Sequence, residues 1–517
     1  MTKYKILWAD DEIDLLKPHI LFLTGKGYDI TSVKSGTDAL EQIDHNSFDL
    51  VFLDENMPGM TGLETLNYIK STHPFLPVVM ITKSEEEYIM DEAIGSKIAD
   101  YLIKPLNPNQ ILLSAKKLLD NQRIITEKTN LNYQQEFARL SMQLQDNLDF
   151  EEWVELYRKL IYWELQIDTI EDKSMSEVLH MQKSEANREF AHFISDNYKS
   201  WINREEEHRP LLSHEVMEQK VLPLINDRPT VMIVIDNLRL DQWDIIETEI
   251  LRLFDLVSKE YYYSILPTTT AYARNSLFAG LTPSEIENSY SELWVGEDSD
   301  KPKNNHEEEL IRKFLERNHK NIKFSYNKII HAKDGKNLSE NVSSILANPF
   351  GVIVYNFVDM LSHARTDMQM IRQLAPDESA YRALTKTWFE HSSLFVTLKK
   401  LSENKINLVI TTDHGTIRVK RPEKIIGDRN TNTNLRFKLG KNLNFDESNV
   451  FFSREPDELK LPKLNVSTSY AFAKEDRFFA YPNNFNYYVN FYKDTFQHGG
   501  ISMEEMIVPL IFLSSKE

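Results

Sequence analysis

The stretch Lys5-Ile6-Leu7-Trp8-Ala9 leads directly into Asp10-Asp11-Glu12. A short apolar run that ends in acidic residues predicts a buried strand with polar side chains at its end. Similar runs alternate with amphipathic helical patterns as far as residue 121, which predicts a doubly wound α/β domain with a parallel sheet. The predicted strands of this domain are Lys5–Ala9, Asp29–Val33, Leu50–Leu53, Pro77–Ile81 and Tyr101–Ile103.

The composition limits which classes of protein and site are possible. The chain has 517 residues, a net charge of −19 and no cysteine. Its length predicts about three domains. Without thiolates, a metal must be held by Asp, Glu, His or hydroxyl oxygen. Because no run approaches the roughly 18 apolar residues of a membrane helix, we expect a cytoplasmic protein with no membrane span. The acidic charge argues against a surface that coats nucleic acid but leaves a local basic site possible.

Changes of pattern divide the chain into three predicted parts: an α/β domain over 1–121, a helical bundle linker over 122–225 and a larger α/β domain with a central sheet over 226–517. In the linker, Phe150, Trp153, Val154, Tyr157 and Ile161 recur at helical spacing. We expect the bundle to couple the two ends of the chain, with a plain spacer as the alternative. The predicted buried strands of the larger domain are Val231–Ile235, Gly351–Phe357, Leu408–Thr412 and Met506–Phe512.

Three carboxylates stand at strand ends in the first domain. Asp10 and Asp11 follow the first strand and Asp54 follows the third, so that all three meet at one edge of a doubly wound sheet. Clustered carboxylates repel one another unless a hard cation such as Mg²⁺ lies among them, and an Asp beside that ion can accept a phosphoryl group. Thr82 and Lys104 follow the fourth and fifth strands, where a hydroxyl and a cation could bind the oxygens of that group.

These residues resemble the receiver domain of two-component response regulators over about residues 3–121. The motifs that carry the resemblance are Asp10-Asp11-Glu12, Leu53-Asp54-Glu55-Asn56-Met57-Pro58-Gly59 with Gly62, Thr82, and Lys104-Pro105. The resemblance implies a flavodoxin-like (CheY-type) fold with Asp54 as the phosphoacceptor. The Mg²⁺ ligands that it implies are Asp10, Asp11, Asp54 and the backbone carbonyl of Asn56. The switch residues that it implies are Thr82, Tyr101 and Lys104. A pseudo-receiver held in one state is the alternative.

A second set of metal-ligand residue types is spread over the larger domain. Its members are Asp236, Asp359, His363, Asp413, His414 and His498. Asp359 and His363 are four residues apart, so a helix there would project both side chains from one face. Three carboxylates and three imidazoles suit two metal ions, with Zn²⁺ favoured by imidazole and Mn²⁺ as the rival.

A hydroxyl-rich turn, Pro267-Thr268-Thr269-Thr270-Ala271, follows the strand-like run Tyr261–Leu266. Coordination to a metal can activate a threonine hydroxyl as a nucleophile, while a second metal polarises a phosphoryl oxygen. Displacement at phosphorus is therefore the predicted chemistry. The residues alone leave open which threonine attacks.

The order of these residues resembles the alkaline phosphatase superfamily, and Asp236-Asn237-Leu238-Arg239 with the threonine run is similar to its PglZ branch. The resemblance covers about residues 228–513 and implies a metal-dependent phosphodiesterase or phosphatase. The ligands implied for one metal are Asp236, Asp413 and His414. Those implied for the other are Asp359, His363 and His498. Thr270 is implied as the nucleophile between the metals and as a metal ligand, with Thr269 as the alternative.

Basic residues near these motifs are candidates for substrate binding. Residues 418–441 hold eight Lys or Arg against two acidic residues and begin four residues after His414. Arg418, Lys420 and Arg421 could form a positive wall for the phosphates of a nucleotide or oligonucleotide, or belong to a solvated insertion. Arg274 is a candidate clamp on phosphate oxygens, with a helix-surface ion pair as the alternative.

The whole arrangement resembles the PorX-like response regulators of the type IX secretion system. The resemblance implies a sensor histidine kinase as phosphodonor, a secretion-system component or an alternative sigma factor as partner, and a nucleotide or oligonucleotide substrate. Phosphorylation of Asp54 would favour a homodimer that positions or exposes the zinc site. Two alternatives stay open, namely a phosphorylation-switched scaffold with structural metals and a phosphomonoesterase.

Overall fold

The computed structural model describes residues 4–73, 76–83, 98–119, 121–169, 174–226, 228–296, 299, 302–367, 369–428 and 431–516, without the side chains of 121–127, 174, 363–367, 369, 370 and 372. The chain divides into two compact units. The first comprises Met1–Gln134 and Ile170–Asp172, and the second comprises Gln135–Thr169 and Lys173–Glu517.

The first unit contains a five-stranded parallel sheet in the order β2-β1-β3-β4-β5. Its strands are β1 (Lys5–Ala9), β2 (Asp29–Val33), β3 (Leu50–Asp54), β4 (Val78–Thr82) and β5 (Asp100–Ile103). Its helices are Lys17–Gly25, Gly36–His45, Gly62–Thr72, Pro108–Leu119 and Asn121–Gln143, the last of which continues into the second unit. This strand order is that of flavodoxin-like folds and confirms the predicted fold class.

Alternation along the strands of this sheet builds two apolar layers. Ile6 and Trp8 pack into one buried cluster, whereas Leu7 and Ala9 pack into another on the opposite face. The helix that follows β3 begins at Gly62, where a Cβ atom would lie 2.3 Å from the carbonyl oxygen of Asp54. Glycine therefore permits the close approach that keeps this helix against the end of β3.

The second unit includes the linker helices Phe150–Asp168 and Ser174–Ile202. The predicted apolar stripe is buried, since Trp153, Tyr157 and Ile161 are at most 3% exposed. Buried charges join these helices to the larger domain, because Lys183 Nζ lies 2.7 Å from Glu164 Oε2 and 3.4 Å from Glu504 Oε1. The linker helices thus pack as part of the larger domain.

A six-stranded sheet in the order β7-β18-β10-β6-β9-β8 forms the centre of the second unit. Its strands are β6 (Thr230–Ile235), β7 (Phe254–Tyr263), β8 (Phe324–Ile329), β9 (Phe350–Tyr355), β10 (Asn407–Thr411) and β18 (Ile507–Ser515). Strand β18 runs antiparallel to both of its neighbours, while β8, β9, β6 and β10 run parallel. The predicted strand at 351–357 ends at Tyr355 because a helix begins at Phe357.

The segment of the chain between β10 and β18 forms small additional sheets. They pair β11 (Ile417–Arg418) with β17 (Phe496–Gln497), β12 (Arg421–Lys424) with β16 (Arg477–Ala480), and β13 (Phe437–Gly440) with β15 (Ser469–Ala473), which also pairs with β14 (Val450–Ser453). Most of the basic run therefore lies in and between short strands.

Helices cover the central sheet of the second unit and connect its strands. Further helices of this unit are Leu240–Leu251, Asn275–Ala279, Pro283–Ser289, Glu307–Arg317, Ala332–Glu340, Val342–Leu346, Phe357–Asp367, Gln369–Leu374, Glu378–His391, Ser393–Ser402, Phe485–Tyr492 and Met503–Met506. Within the described residues, each helix is too short or too polar to cross a membrane.

Replacing Asp149 with Ala should destabilise the start of helix Phe150–Asp168. The Asp149 carboxylate accepts hydrogen bonds from the backbone amides of Glu151 and Glu152, and losing such a cap costs about 1 kcal/mol. We expect thermal unfolding, followed by circular dichroism, to shift down by about 2 °C. Asp146→Ala removes an exposed acidic residue from the same loop and should leave the melting temperature in place. Equal shifts in the two variants would contradict the capping role.

Candidate functional sites

Three carboxylates converge at the edge of the first sheet. Oxygen atoms of Asp10, Asp11 and Asp54 lie within 4.8 Å of one another, with Asp10 and Asp54 buried and Asp11 exposed. Lys104 Nζ lies 2.9 Å from Asp10 Oδ2 and 2.7 Å from Asp54 Oδ1. The structure therefore brings together the predicted phosphoacceptor, both predicted carboxylate ligands and the predicted lysine.

Burial governs the electrostatics of this cluster. Burial, together with the charge of Asp10, raises the pKa of Asp54 above its ordinary value. Burial would lower the pKa of Lys104, but its bonds to Asp54 and Asp10 outweigh that effect, so the pKa of Lys104 is raised. Three carboxylates with a single nearby lysine are a donor set that suits a hard divalent cation.

The remaining receiver residues surround this cluster. The Thr82 hydroxyl, at the end of β4, donates to a carboxylate oxygen of Glu55. Tyr101, on the edge strand β5, is 42% exposed, and Asn56 is exposed in the loop after β3. Of the predicted switch residues, Thr82 thus ends β4, the neighbour of β3, whereas Tyr101 lies on the edge strand β5 and is turned outward.

The second unit holds a similar cluster at the ends of two paired strands. Asp236 follows β6 and Asp413-His414 follows β10, its neighbour in the sheet. Their ligand atoms lie within 4.8 Å of one another, and all three side chains are at most 1% exposed. The structure therefore brings together three residues of which the first and the last, Asp236 and His414, are 178 positions apart in the chain.

Of the two candidate threonines, Thr270 reaches this cluster. Its Oγ1 lies 3.3 Å from Asp236 Oδ1 and 3.3 Å from His414 Nε2, and the residue is partly exposed. Thr269 is 6% exposed, and its hydroxyl has no hydrogen-bond partner among the described residues. The geometry favours Thr270 as the hydroxyl that a substrate can approach.

The two imidazoles are oriented by backbone carbonyls. His414 Nδ1 lies 3.0 Å from the carbonyl oxygen of Gly415, and His498 Nδ1 lies 3.3 Å from that of Thr268. Since a carbonyl oxygen can only accept, each Nδ1 donates, which leaves an Nε2 lone pair on each ring. The rings stack with centroids 4.4 Å apart, and His498 Nε2 lies 3.7 Å from Asp359 Oδ1.

This arrangement fits metal binding. Asp413 Oδ2 is buried and accepts no hydrogen bond from the described residues, while two imidazole lone pairs turn toward the carboxylates. Burial and the charge of Asp236 raise the pKa of Asp413. Burial would also raise the pKa of Asp236, but opposing effects led by the charge of Arg274 outweigh it, so that the pKa of Asp236 is lowered. A histidine that binds a metal through one ring nitrogen usually donates the N–H of its other ring nitrogen to a carbonyl or carboxylate, as both Nδ1 atoms do here.

His363 and Asp359 both lie in helix Phe357–Asp367, as their spacing predicts. The side chain of His363 is outside the part of the chain that the structure describes. Asp359 accepts a hydrogen bond from Asn237 Nδ2 at 3.3 Å and faces His498.

Arg274 lies beneath the cluster rather than on a surface. Its side chain is fully buried, with Nη1 2.7 Å from Asp236 Oδ2 and Nε 2.6 Å from Glu307 Oε1. The alternative of a helix-surface ion pair is therefore wrong, because the guanidinium is drawn inward by buried carboxylates. The same contacts direct its donors to protein carboxylates instead of the open side of the site, where a phosphate clamp was expected.

The structure does not bring the predicted basic wall to this cluster. Arg418 Nη2 lies 3.1 Å from Asp494 Oδ1, and Arg421 pairs with Glu475 and Asp476. These arginines and Lys420 line a small cavity of about 30 Å³ together with the linker helix Ser174–Ile202. The side chains of Arg418 and Arg421 are thus engaged by neighbouring acidic residues.

Asn237 was missed by the sequence interpretation although it touches both proposed ligand sets. It has a positive φ of 64°, a conformation in which asparagine is enriched. Its backbone amide lies 3.4 Å from Asp413 Oδ1, and its side chain bonds Asp359. An asparagine directly after a strand-ending aspartate was the available signal.

A buried ion pair supports the loops that carry the histidines. Arg436 and Glu505 are both fully buried, with Nη2 2.6 Å from Oε2 and Nε 3.1 Å from Oε1. Glu505 Oε1 accepts from the backbone amide of Gly500, and the Glu505 carbonyl accepts from that of Gly415. The pair therefore fixes the segment after His498 and the turn after His414 at once.

Comparisons with known proteins match three successive parts of the chain. A family model described as BREX system PglZ alkaline phosphatase-like domain matches residues 216–513, more than half of the chain. A model described as PorX response regulator linker domain matches residues 123–202. A model described as response regulator receiver domain matches residues 6–116.

Individual proteins that are similar to part of this chain include two regulatory proteins and a receiver domain. The transcriptional regulatory protein ZraR of Escherichia coli O157:H7 is 36% identical over 124 residues, which cover 24% of this chain and 28% of that protein. The luminescence regulatory protein LuxO of Vibrio campbellii is 31% identical over 117 residues, which cover 22% of this chain and 26% of that protein. The receiver domain of NtrX from Brucella abortus is 32% identical, with a TM-score of 0.22, and covers 22% of this chain and 98% of that domain. The matched part of this chain thus spans less than a third of the length of ZraR and of LuxO.

Removing either charge of the Arg436–Glu505 pair should be strongly destabilising. Arg436→Gln or Glu505→Gln leaves the other charge buried without a counterion, which costs about 3–5 kcal/mol. The double variant removes both charges, so its loss of unfolding free energy should fall short of the sum by about 1–3 kcal/mol. Guanidinium denaturation followed by tryptophan fluorescence measures all three variants.

The exposed pair Arg454–Glu447, 3.1 Å apart and 77% and 62% exposed, provides the matched control cycle. Its coupling should stay below about 1 kcal/mol because solvent screens the charges. Additive losses in the Arg436–Glu505 cycle would show that the two residues do not act as a unit.

Proposed function

This chain belongs to the family of PglZ alkaline phosphatase-like domains, and we propose that it is a two-component response regulator whose effector is a metal-dependent phosphodiesterase. In this proposal residues 1–121 receive a phosphoryl group on Asp54, residues 122–225 transmit the change, and residues 226–517 hydrolyse the substrate. One observation supports the activity: Thr270 is partly exposed, and its Oγ1 lies 3.3 Å from both Asp236 Oδ1 and His414 Nε2.

Two Zn²⁺ ions are the proposed cofactors of the effector, with Mn²⁺ as the rival ion and Mg²⁺ proposed for the receiver. The residues proposed to hold one zinc are Asp236, Asp413 and His414. Those proposed for the other are Asp359, His363 and His498, with Thr270 between the two sets. Bound zinc would polarise the phosphoryl oxygens and stabilise negative charge on the attacking and leaving oxygens.

Thr270 is the nucleophile in the proposed reaction. Its Oγ1 attacks the phosphorus of a phosphodiester in line and gives up its proton, while the bond to the leaving alkoxide breaks and that oxygen takes up a proton. Water then attacks the phosphothreonine, which releases a phosphomonoester and restores the hydroxyl. Asp236 and Asp413 are buried on one side of Thr270. The substrate would therefore approach Thr270 from its partly exposed side, beside His498.

Helix Ser174–Ile202 is the proposed route of control. The Tyr198 hydroxyl accepts a hydrogen bond at 2.8 Å from the backbone amide of Leu266, just before the threonine run. The Asn187 side chain accepts one at 2.9 Å from the backbone amide of Met503, in the segment that follows His498. A shift of this helix would move both segments, so it can carry a change from the receiver to the site.

We also propose a biological setting. The protein would act in the control of type IX secretion, a proposal supported by the match of residues 123–202 to a PorX response regulator linker domain. Nucleotides or oligonucleotides are the proposed substrates. The proposed partners are a sensor histidine kinase, a secretion-system component or alternative sigma factor, and a second copy of the chain on phosphorylation. The proposed compartment is the cytoplasm.

Replacing Thr270 with Ala should lower turnover of bis(4-nitrophenyl) phosphate by a factor of about 1,000 or more, because the nucleophile is lost. Zinc content, measured by atomic absorption, should stay near that of the wild type, since the Asp and His ligands remain. Thr269→Ala is the matched control and should retain turnover. Retained turnover in Thr270→Ala would move the role to another group, and wild-type activity that survives a chelator would contradict a metal-dependent reaction.

Loading Asp54 with an acyl-phosphate analogue such as beryllofluoride should shift the protein toward a dimer in sedimentation velocity experiments. The analogue mimics a phosphoryl group and adds negative charge beside Thr82 and Lys104, which favours a rearranged receiver surface. Asp54→Ala lacks the acceptor and should sediment alike with and without the analogue. A wild-type chain that stays monomeric at saturating analogue would contradict the proposed dimer switch.

A further inference from the structure

The helix Phe485–Tyr492 carries an aromatic surface that the reaction proposed above does not use. Five of its eight residues are aromatic, in a chain whose aromatic content is 11%. None of its residues is buried, and Tyr487 and Tyr488 are 65% and 39% exposed. Aromatic side chains ordinarily bury most of their area, so this helix presents an unusual amount of ring surface to solvent.

The rings form two rows along the helix. Tyr487 stacks on Phe491 with centroids 6.3 Å apart and an interplanar angle of 15°. Tyr488 stacks on Tyr492 with centroids 6.3 Å apart and an angle of 10°. Both pairs have the spacing of residues one turn apart, so the helix holds two sets of nearly parallel rings in fixed orientation.

The helix is anchored from beneath, which leaves those rings in place. Val489 and Tyr492 pack against a buried cluster formed by Ile417, Val419 and Phe478. Ile417 and Phe478 lie on the small strands β11 and β16, so this packing fixes the helix to that part of the domain.

The charge around this surface is positive. Residues 481–493 contain no acidic residue. Lys424 is exposed and lies 5.1 Å from the Phe485 ring centroid, and Lys493 is exposed at the end of the helix. The acidic residues that adjoin the two lysines in sequence are already paired. Glu423 pairs with Arg477, and Asp494 pairs with Arg418. The two lysines therefore face solvent without a compensating carboxylate from these neighbours.

The aromatic helix is connected to the proposed catalytic site by a short stretch of chain. Strand β17 follows the helix, pairs with β11 and ends one residue before His498. Tyr492 and His498 are six positions apart in the chain, so their Cα atoms lie at most about 20 Å apart. A chain of a few nucleotides can span such a distance.

We propose that helix Phe485–Tyr492 is a base-stacking platform that binds the single-stranded oligonucleotide whose phosphodiester is cut at Thr270. The inference rests on the proposed function. Every base offers a π-face to an exposed ring, while Lys424 and Lys493 attract the phosphates, a combination typical of binding to single strands without sequence preference. Because bases would stack on the helix while the phosphodiester is cut at Thr270, the enzyme should prefer oligonucleotides over small diesters.

The test compares Tyr487→Ala with Tyr487→Phe in the full-length zinc-loaded protein. The probe is a fluorescein-labelled single-stranded DNA pentamer with phosphorothioate linkages, and its binding is measured by fluorescence anisotropy. Loss of one stacking ring should weaken binding about tenfold, whereas the phenylalanine variant keeps the ring and should bind like the wild type. The ratio of turnover of an unmodified pentamer to that of bis(4-nitrophenyl) phosphate should fall by a similar factor in Tyr487→Ala.

Tyr162→Ala is the matched control, because Tyr162 is 55% exposed on helix Phe150–Asp168. It should bind the pentamer like the wild type, and thermal melting should show all variants folded. Wild-type affinity in Tyr487→Ala would overturn the platform, as would weakened self-association in that variant with unchanged pentamer binding, which would identify a protein interface. Because anisotropy needs no turnover, absent diester hydrolysis would count against the proposed function while binding still decides the platform.

Discussion

Carboxylates that end neighbouring parallel strands repel one another, and both units of this chain meet that constraint with a cation. In the first unit Lys104 bridges Asp10 and Asp54. In the second, Arg274 lies under Asp236 and within 3.7 Å of Asp413. An uncompensated buried charge costs several kcal/mol, so neither sheet edge could persist without such a partner. The same electrostatic requirement therefore shapes both candidate sites.

Sequence patterns could predict the strands that precede the candidate site residues. Short apolar runs indicate buried strands, and the topology of α/β sheets places sites at the carboxyl ends of those strands. The strands before Asp54, Asp236 and Asp413 were located within one residue. Strand β7 begins at Phe254, and only its end was predicted, since its exposed and half-buried middle lacks the apolar run of a central strand. Strand β8, partly buried along most of its length, was missed for the same reason.

Supporting contacts were beyond prediction because they join residues far apart in the chain. Arg436 and Glu505 are 69 positions apart, and nothing local to either indicates the other. Arg274 could be located after the threonines, but its burial depends on Glu307, which comes from a separate helix. The exposure of helix Phe485–Tyr492 was also beyond prediction. A run rich in Phe and Tyr suggests an element of the core, and only the tertiary fold determines that it is exposed.

Arg274 also gives the second candidate site a direction. It is shared between Asp236 and Glu307, and Lys328 lies 2.9 Å from Glu307. Arg274 Nη1 is 2.7 Å from Asp236 Oδ2 but 3.7 Å from Asp413 Oδ2, so Asp413 is the less compensated of these two carboxylates. The buried arginine therefore stabilises the inner side of the cluster, and the proposed metal ions would bind on the opposite side, toward Thr270 and His498.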